Sequence, residues 1–128
     1  MTRILIIDDD RLVREALQVL LGAKGYEVSV AADGKSGIEA MKAVTFDLAI
    51  VDLFMPNMDG LTVIQAIRQL HPGVPLIAAS GFLFGDACPH MPGFAGMASE
   101  AGAAFTLYKP FRPKEVLCAV EEALAAAD

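Results

Sequence analysis

Apolar residues fall into two alternating patterns along the chain. Four runs, at 4–7, 48–51, 76–79 and 105–108, are short and apolar or nearly so. Uniformly apolar runs of that length suit central strands of a parallel sheet, which are covered on both faces. A fifth run, Glu27-Val28-Ser29-Val30, alternates polar with apolar and predicts a half-exposed strand at the sheet's edge. The segments between the runs have helical periodicity. Leu12, Val13, Ala16, Leu17, Leu20 and Leu21 make one apolar stripe, with Gly25 as a stop signal. Ile38, Met41 and Val44 form a shorter stripe after Gly34. Leu61, Ile64 and Ile67 follow Gly60, and that helix ends by Pro72. Val116, Leu117, Val120, Ala123 and Leu124 follow Pro113, a residue favoured in a first helical turn. The series predicts an α/β fold: a doubly wound, five-stranded parallel sheet with helices on both faces and right-handed crossovers.

One segment breaks the alternation. Between 81 and 99 lie Gly81, Gly85, Gly93, Gly96, Pro89 and Pro92, with Asp86 the only charge. The expectation is a long apolar loop over 81–93, then a short or irregular fourth helix within 94–101. A functional loop and a packed surface insertion fit that composition equally well.

Length and charge narrow the possibilities. The 128 residues suit one domain, 1–128, with no interdomain linker or internal repeat. Ten Lys and Arg against 16 Asp and Glu leave a net charge of −6, the wrong sign for a surface held to phosphate backbones. Direct nucleic-acid binding is therefore not expected. The longest uncharged stretch, 69–85, contains Pro72, Gly73 and Pro75, so no membrane insertion is expected either. MTRILIIDDD lacks the pattern of a signal peptide. Cys88 and Cys118 have no metal-binding spacing, and together these features point to a soluble cytoplasmic protein. His71, beside Pro72, is read as a solvated loop residue.

The candidate chemistry lies where the apolar runs end. Open parallel sheets bind ligands beyond the carboxyl ends of their strands, near the point where strand order reverses. Asp8, Asp9 and Asp10 follow the first run, Asp52 the second central run, Ser80 the third and Lys109 the last. Taken singly, each has a plain structural explanation. Acids favour a helix N-terminus, where Asp10 is expected as the N-cap, and the segment from Asp52 to Gly60 is rich in turn residues. Taken together, they would deliver three carboxylates, a hydroxyl and an ammonium to one rim. Asp8, Asp9 and Asp52 against Lys109 leave an excess of negative charge that a divalent cation with oxygen ligands, Mg²⁺, would neutralise. A carboxylate beside such an ion can act as the nucleophile towards a phosphoryl group, with lysine and serine answering the phosphoryl oxygens.

With ILIIDDD (4–10), DLAIVDLFMPNMDG (47–60), PLIAASG (75–81) and AGAAFTLYKPF (101–111), the chain resembles the receiver domains of two-component response regulators, the CheY-like fold with strand order 2-1-3-4-5. The resemblance implies that Asp52 is the phosphoacceptor and that Asp8 and Asp9 hold Mg²⁺, Asp9 directly. It implies that Phe54 contributes its backbone carbonyl, that Ser80 and Lys109 contact the phosphoryl group, and that the Lys109–Pro110 bond is cis. A sensor histidine kinase or phosphotransfer protein would be the donor, and an unidentified downstream protein would read the change. The chain stops after its last helix, so a stand-alone module without an output domain is expected.

Two departures from the family pattern stand out: Thr106 occupies the position where receivers carry Tyr or Phe, and the 81–99 segment replaces the usual start of the fourth helix. Signal output by another route, with the 82–94 loop reordering on phosphorylation, is expected from them. Two other functions compete. A Mg²⁺-dependent phosphatase resembling the haloacid dehalogenases would use Asp8 as its nucleophile, but it leaves Asp52 and Lys109-Pro110-Phe111 unexplained. A receiver that binds partners without being phosphorylated would not need the full acid, serine and lysine set.

Overall fold

In the computed structural model, residues 1–55, 59–80 and 102–127 are described. Each expected strand forms and extends slightly beyond its apolar run. The strands are β1 (Arg3–Ile7), β2 (Glu27–Ala31), β3 (Leu48–Asp52), β4 (Leu76–Ser80) and β5 (Ala103–Tyr108). They pair in parallel in the order β2-β1-β3-β4-β5. Four helices occur among the described residues: α1 (Arg11–Gly22), α2 (Gly34–Ala43), α3 (Gly60–Leu70) and α4 (Pro113–Ala127). The expected 81–93 loop and the short helix within 94–101 lie outside the described residues, as do Cys88 and His90.

Strand periodicity sends successive side chains to opposite faces, and the core divides accordingly. Leu5, Ile7, Ala49 and Val51 pack with Met41, Ile64 and Ile67 on the face covered by α2 and α3. Ile4, Ile6, Leu48 and Ile50 pack with Leu17, Leu21, Val116 and Val120 on the face covered by α1 and α4. Every residue of β3 and β4 is buried, as uniformly apolar runs require. The alternating strand β2 is indeed at one edge, and it exposes Glu27, Ser29 and Val30.

Aspartates start three of the helices. Asp10, Asp33 and Asp59 accept hydrogen bonds from the backbone N–H of Leu12, Ser36 and Thr62, satisfying donors that a helix N-terminus leaves free. Past the other end of α1, Gly25 takes φ +91°, a conformation that side chains resist. His71 corrects the expectation of a solvated loop residue. It caps α3 and is half-buried, with Nε2 2.8 Å from the carbonyl oxygen of Met41 in α2. Near its C-terminus a helix leaves carbonyls without intrahelical donors, and the imidazole meets one of them. Cys118 is exposed on α4. Phe105 packs on the face of α1 and α4, whereas its neighbour Thr106 is half-buried.

Candidate functional site

Strand order and strand length together build the site. β1 and β3 are adjacent at the centre of the sheet, and both end at the same rim. Asp8 follows β1 directly, and Asp52 is the last residue of β3. One carboxylate oxygen from each of Asp8, Asp9 and Asp52 lies within 4.8 Å of the others. Asp8 and Asp52 are buried, at 2% and 3% exposure, whereas Asp9 is exposed. Lys109 arrives from the end of β5: its backbone N–H donates to the Ser80 carbonyl oxygen at 2.8 Å. Its Nζ lies 2.7 Å from Asp8 Oδ2 and 3.5 Å from Asp52 Oδ2. The peptide bond after it, Lys109–Pro110, is cis. Ser80 ends β4 and is buried. Half-buried Phe54 donates its backbone N–H to Asp52 Oδ1 at 3.2 Å.

Gly60 controls how closely α3 approaches this rim. A Cβ there would run into the Asp52 carbonyl oxygen and Leu53 Cα, with the Asp52 carbonyl carbon 3.0 Å away. The Gly60 N–H instead donates to the Leu53 carbonyl oxygen at 3.1 Å. A glycine is what lets the first turn of α3 sit against the end of β3.

Burial and crowding set the protonation of the cluster. Asp52 is pushed up to about 7, first by burial and then by the neighbouring Asp8 carboxylate; Lys109 and the Phe54 N–H oppose the rise. Burial alone would lower Lys109. Its hydrogen bond to Asp8 and the charges of Asp8 and Asp52 outweigh that and hold it above its ordinary value. The donor set suits Mg²⁺. Three hard carboxylate oxygens spread over at most 4.8 Å compare with the ~4.2 Å that separates opposite oxygens of a magnesium octahedron. Among the described residues the three carboxylates meet Lys109 and, behind the Asp8 carbonyl, Arg14, which leaves an excess of negative charge that a cation would relieve.

Two neighbours of the site were not singled out from the sequence. Arg14 Nη1 donates to the Asp8 backbone carbonyl at 2.9 Å. An apolar groove of about 290 Å³ between α1 and the start of α4 runs up to Lys109 and is lined by Leu12, Ala16, Leu20, Pro110 and Phe111. An arginine one turn into α1 and an exposed leucine at the start of a stripe were the available signals.

The family described as the response regulator receiver domain matches residues 4–121, and the chain belongs to it. Such domains bind Mg²⁺ and act in phosphorelay signalling, taking phosphoryl groups that originate on histidine kinases. The chain is 32% identical over 126 residues to the "DNA-binding response regulator MtrA" of Mycobacterium tuberculosis, an alignment covering 98% of this chain and 52% of the relative. It is 35% identical over 115 residues to the "Response regulator MprA" of Mycolicibacterium vanbaalenii, covering 90% of this chain and 47% of that one. The chain thus spans about half the length of the curated relatives it matches. Solved single-domain structures match from end to end. A CheY-like receiver domain protein from Methanospirillum hungatei superposes with TM-score 0.86 at 29% identity, covering 99% of this chain and 96% of that one. Vibrio cholerae chemotaxis protein CheY4 superposes with TM-score 0.84 at 27% identity, covering 96% and 98%. The fold is therefore the CheY-like, flavodoxin-type sandwich expected from the sequence. Among the described residues no helix is long and apolar enough to cross a membrane.

Proposed function

We propose that Asp52 is the phosphoacceptor of this receiver domain, and that Asp8, Asp9, Asp52 and the Phe54 backbone carbonyl form its Mg²⁺ site. The observation that carries this reading is the convergence of three carboxylates within 4.8 Å, with Lys109 Nζ 2.7 Å from Asp8 and 3.5 Å from Asp52. An Asp52 carboxylate oxygen attacks the phosphorus of a phosphohistidine. The new P–O bond forms as the P–N bond breaks, and the imidazole leaves with the electron pair. Bound at this site, Mg²⁺ supplies neutralising charge for the carboxylates and the phosphoryl oxygens. Lys109 is already drawn towards Asp52, and it turns to the phosphoryl oxygens as a point charge. The Ser80 hydroxyl donates to one of them. The Phe54 N–H holds the Asp52 carboxylate in place.

The donor in this reading is a sensor histidine kinase or a phosphotransfer protein in the cytoplasm, where free thiols such as Cys118 persist. Beyond its own phosphorylation and dephosphorylation the domain catalyses nothing. Its phosphorylated form changes affinity for a downstream protein. The net charge of −6 supports a segment, 1–128, that makes no direct contact with nucleic acid, whatever the longer relatives do with the rest of their length.

Phosphate-affinity electrophoresis with acetyl phosphate and Mg²⁺ tests the proposal. A retarded band in the wild type that is lost in Asp52→Asn is expected. Retardation that persists in Asp52→Asn but is lost in Asp8→Asn would favour a phosphatase-like nucleophile at Asp8. No retardation at all would favour a receiver that binds partners unphosphorylated.

A further inference from the structure

We infer that Arg14 is a positioning residue for the acid pair: by pinning the peptide between Asp8 and Asp9 to α1, it aims the Asp9 carboxylate at the cation site. The inference rests on the Mg²⁺ reading of that site and names a residue outside the ligand set. Asp8 is held at every polar atom. Its backbone N–H donates to the Ala31 carbonyl oxygen at 3.1 Å. Its Oδ1 accepts from the Asp10 N–H at 2.8 Å, and its Oδ2 lies 2.7 Å from Lys109 Nζ. The remaining atom, its carbonyl oxygen, accepts from Arg14 Nη1 at 2.9 Å. That carbonyl belongs to the Asp8–Asp9 peptide, so fixing it fixes the plane from which Asp9 departs.

Asp9 needs such help. It is the exposed member of the three, lying just past the end of β1 and ahead of the Asp10 cap. No sheet pairing orients it. Arg14 sits within the first turns of α1, where its own N–H donates to the Asp10 carbonyl oxygen at 3.0 Å. The half-buried guanidinium thus reaches back over the turn and ties strand end to helix start. A planar, permanently charged donor suits that task, because the bond to a carbonyl is charge-assisted and geometrically fixed.

Charge and positioning predict opposite outcomes, which makes the role testable. Arg14 places a positive charge beside a cation site, so if charge were its only effect, removing it would tighten Mg²⁺ binding. If Arg14 aims Asp9, removing it loosens binding, and partners that orient metal ligands typically matter by about tenfold or more. The measurement is a titration of the full chain with MgCl₂ alone, followed by amide chemical shifts, for wild type, Arg14→Met, Arg14→Gln and Arg14→Lys. Circular dichroism in EDTA checks that each variant is folded.

The expected result is Mg²⁺ affinity weakened about tenfold in Arg14→Met and Arg14→Gln, with Arg14→Lys closer to the wild type than to either. The Gln variant carries the test should the Met variant not fold. Unchanged or tighter binding in the neutral variants overturns the role of Arg14 and leaves the metal site standing. So does a Lys variant as weak as the neutral ones. A wild type whose shifts do not respond to Mg²⁺ overturns the site and this inference together.

Discussion

Replacing Asp52 with asparagine should stabilise the metal-free protein, although it abolishes the proposed chemistry. In the unfolded chain the carboxyl titrates near its ordinary 3.8, whereas burial and the Asp8 charge push it up to about 7 in the fold. Between those values the folded state holds the extra proton, so this group favours folding at low pH, and the advantage is lost as pH rises from 3.8 to about 7. The gap of about three units, at about 1.4 kcal/mol each, sets a ceiling of about 4 kcal/mol. Asparagine is still a polar side chain buried beside Asp8, so the substitution should recover only part of that ceiling, about 2 kcal/mol. Asparagine keeps an acceptor for the Phe54 N–H and offers its own N–H groups to the Asp8 and Asp9 carboxylates. Thermal melts in EDTA at pH 8 should therefore show Asp52→Asn about 8 °C above the wild type. At pH 5 wild-type Asp52 is still mostly protonated, and the difference should fall below half. Added Mg²⁺ should raise the wild type and narrow the gap at pH 8. Equal melting at pH 8, or a gap that ignores pH, would refute the account of a strained carboxylate cluster.

Other substitutions test the surroundings of the site. Gly60→Ala drives a methyl group into the backbone of Asp52 and Leu53, where neither atom can rotate away. It should cost about 3 kcal/mol in urea unfolding, and it should slow labelling by acetyl phosphate even under conditions where the protein stays folded. Lys109→Ala removes the only ammonium bonded to Asp8 among the described residues; labelling of Asp52 should fall at least tenfold while Mg²⁺ affinity rises. Asp10→Ala deletes the α1 cap and should lower stability by about 1 kcal/mol in the same unfolding assay. His71→Ala leaves the Met41 carbonyl without its imidazole partner, and a loss of about 1 kcal/mol is expected, with labelling at Asp52 unchanged.

Most of the fold is legible in the sequence, because its signals are local. Apolar runs at 48–51 and 76–79 marked buried strands, the alternation at 27–30 marked the edge, and Asp10 announced the start of α1. Each follows from the period of one element and from what its two ends leave unpaired. The set of candidate residues was legible for a related reason: parallel strands that all run one way must deliver their final residues to one rim. Distances between those residues belong to tertiary structure alone. No pattern along the chain says that Lys109 bonds Asp8 more closely than Asp52, since that depends on how β5 exits past Ser80. Nor could residue types show that Asp52 is pushed up to about 7, because burial and the neighbouring charge arise only when β1 and β3 lie side by side. The contacts of Arg14 with the Asp8 carbonyl and of His71 with the Met41 carbonyl have no signature in the sequence for the same reason. A side chain's partner is a backbone atom whose position is set by packing, and local periodicity does not record it.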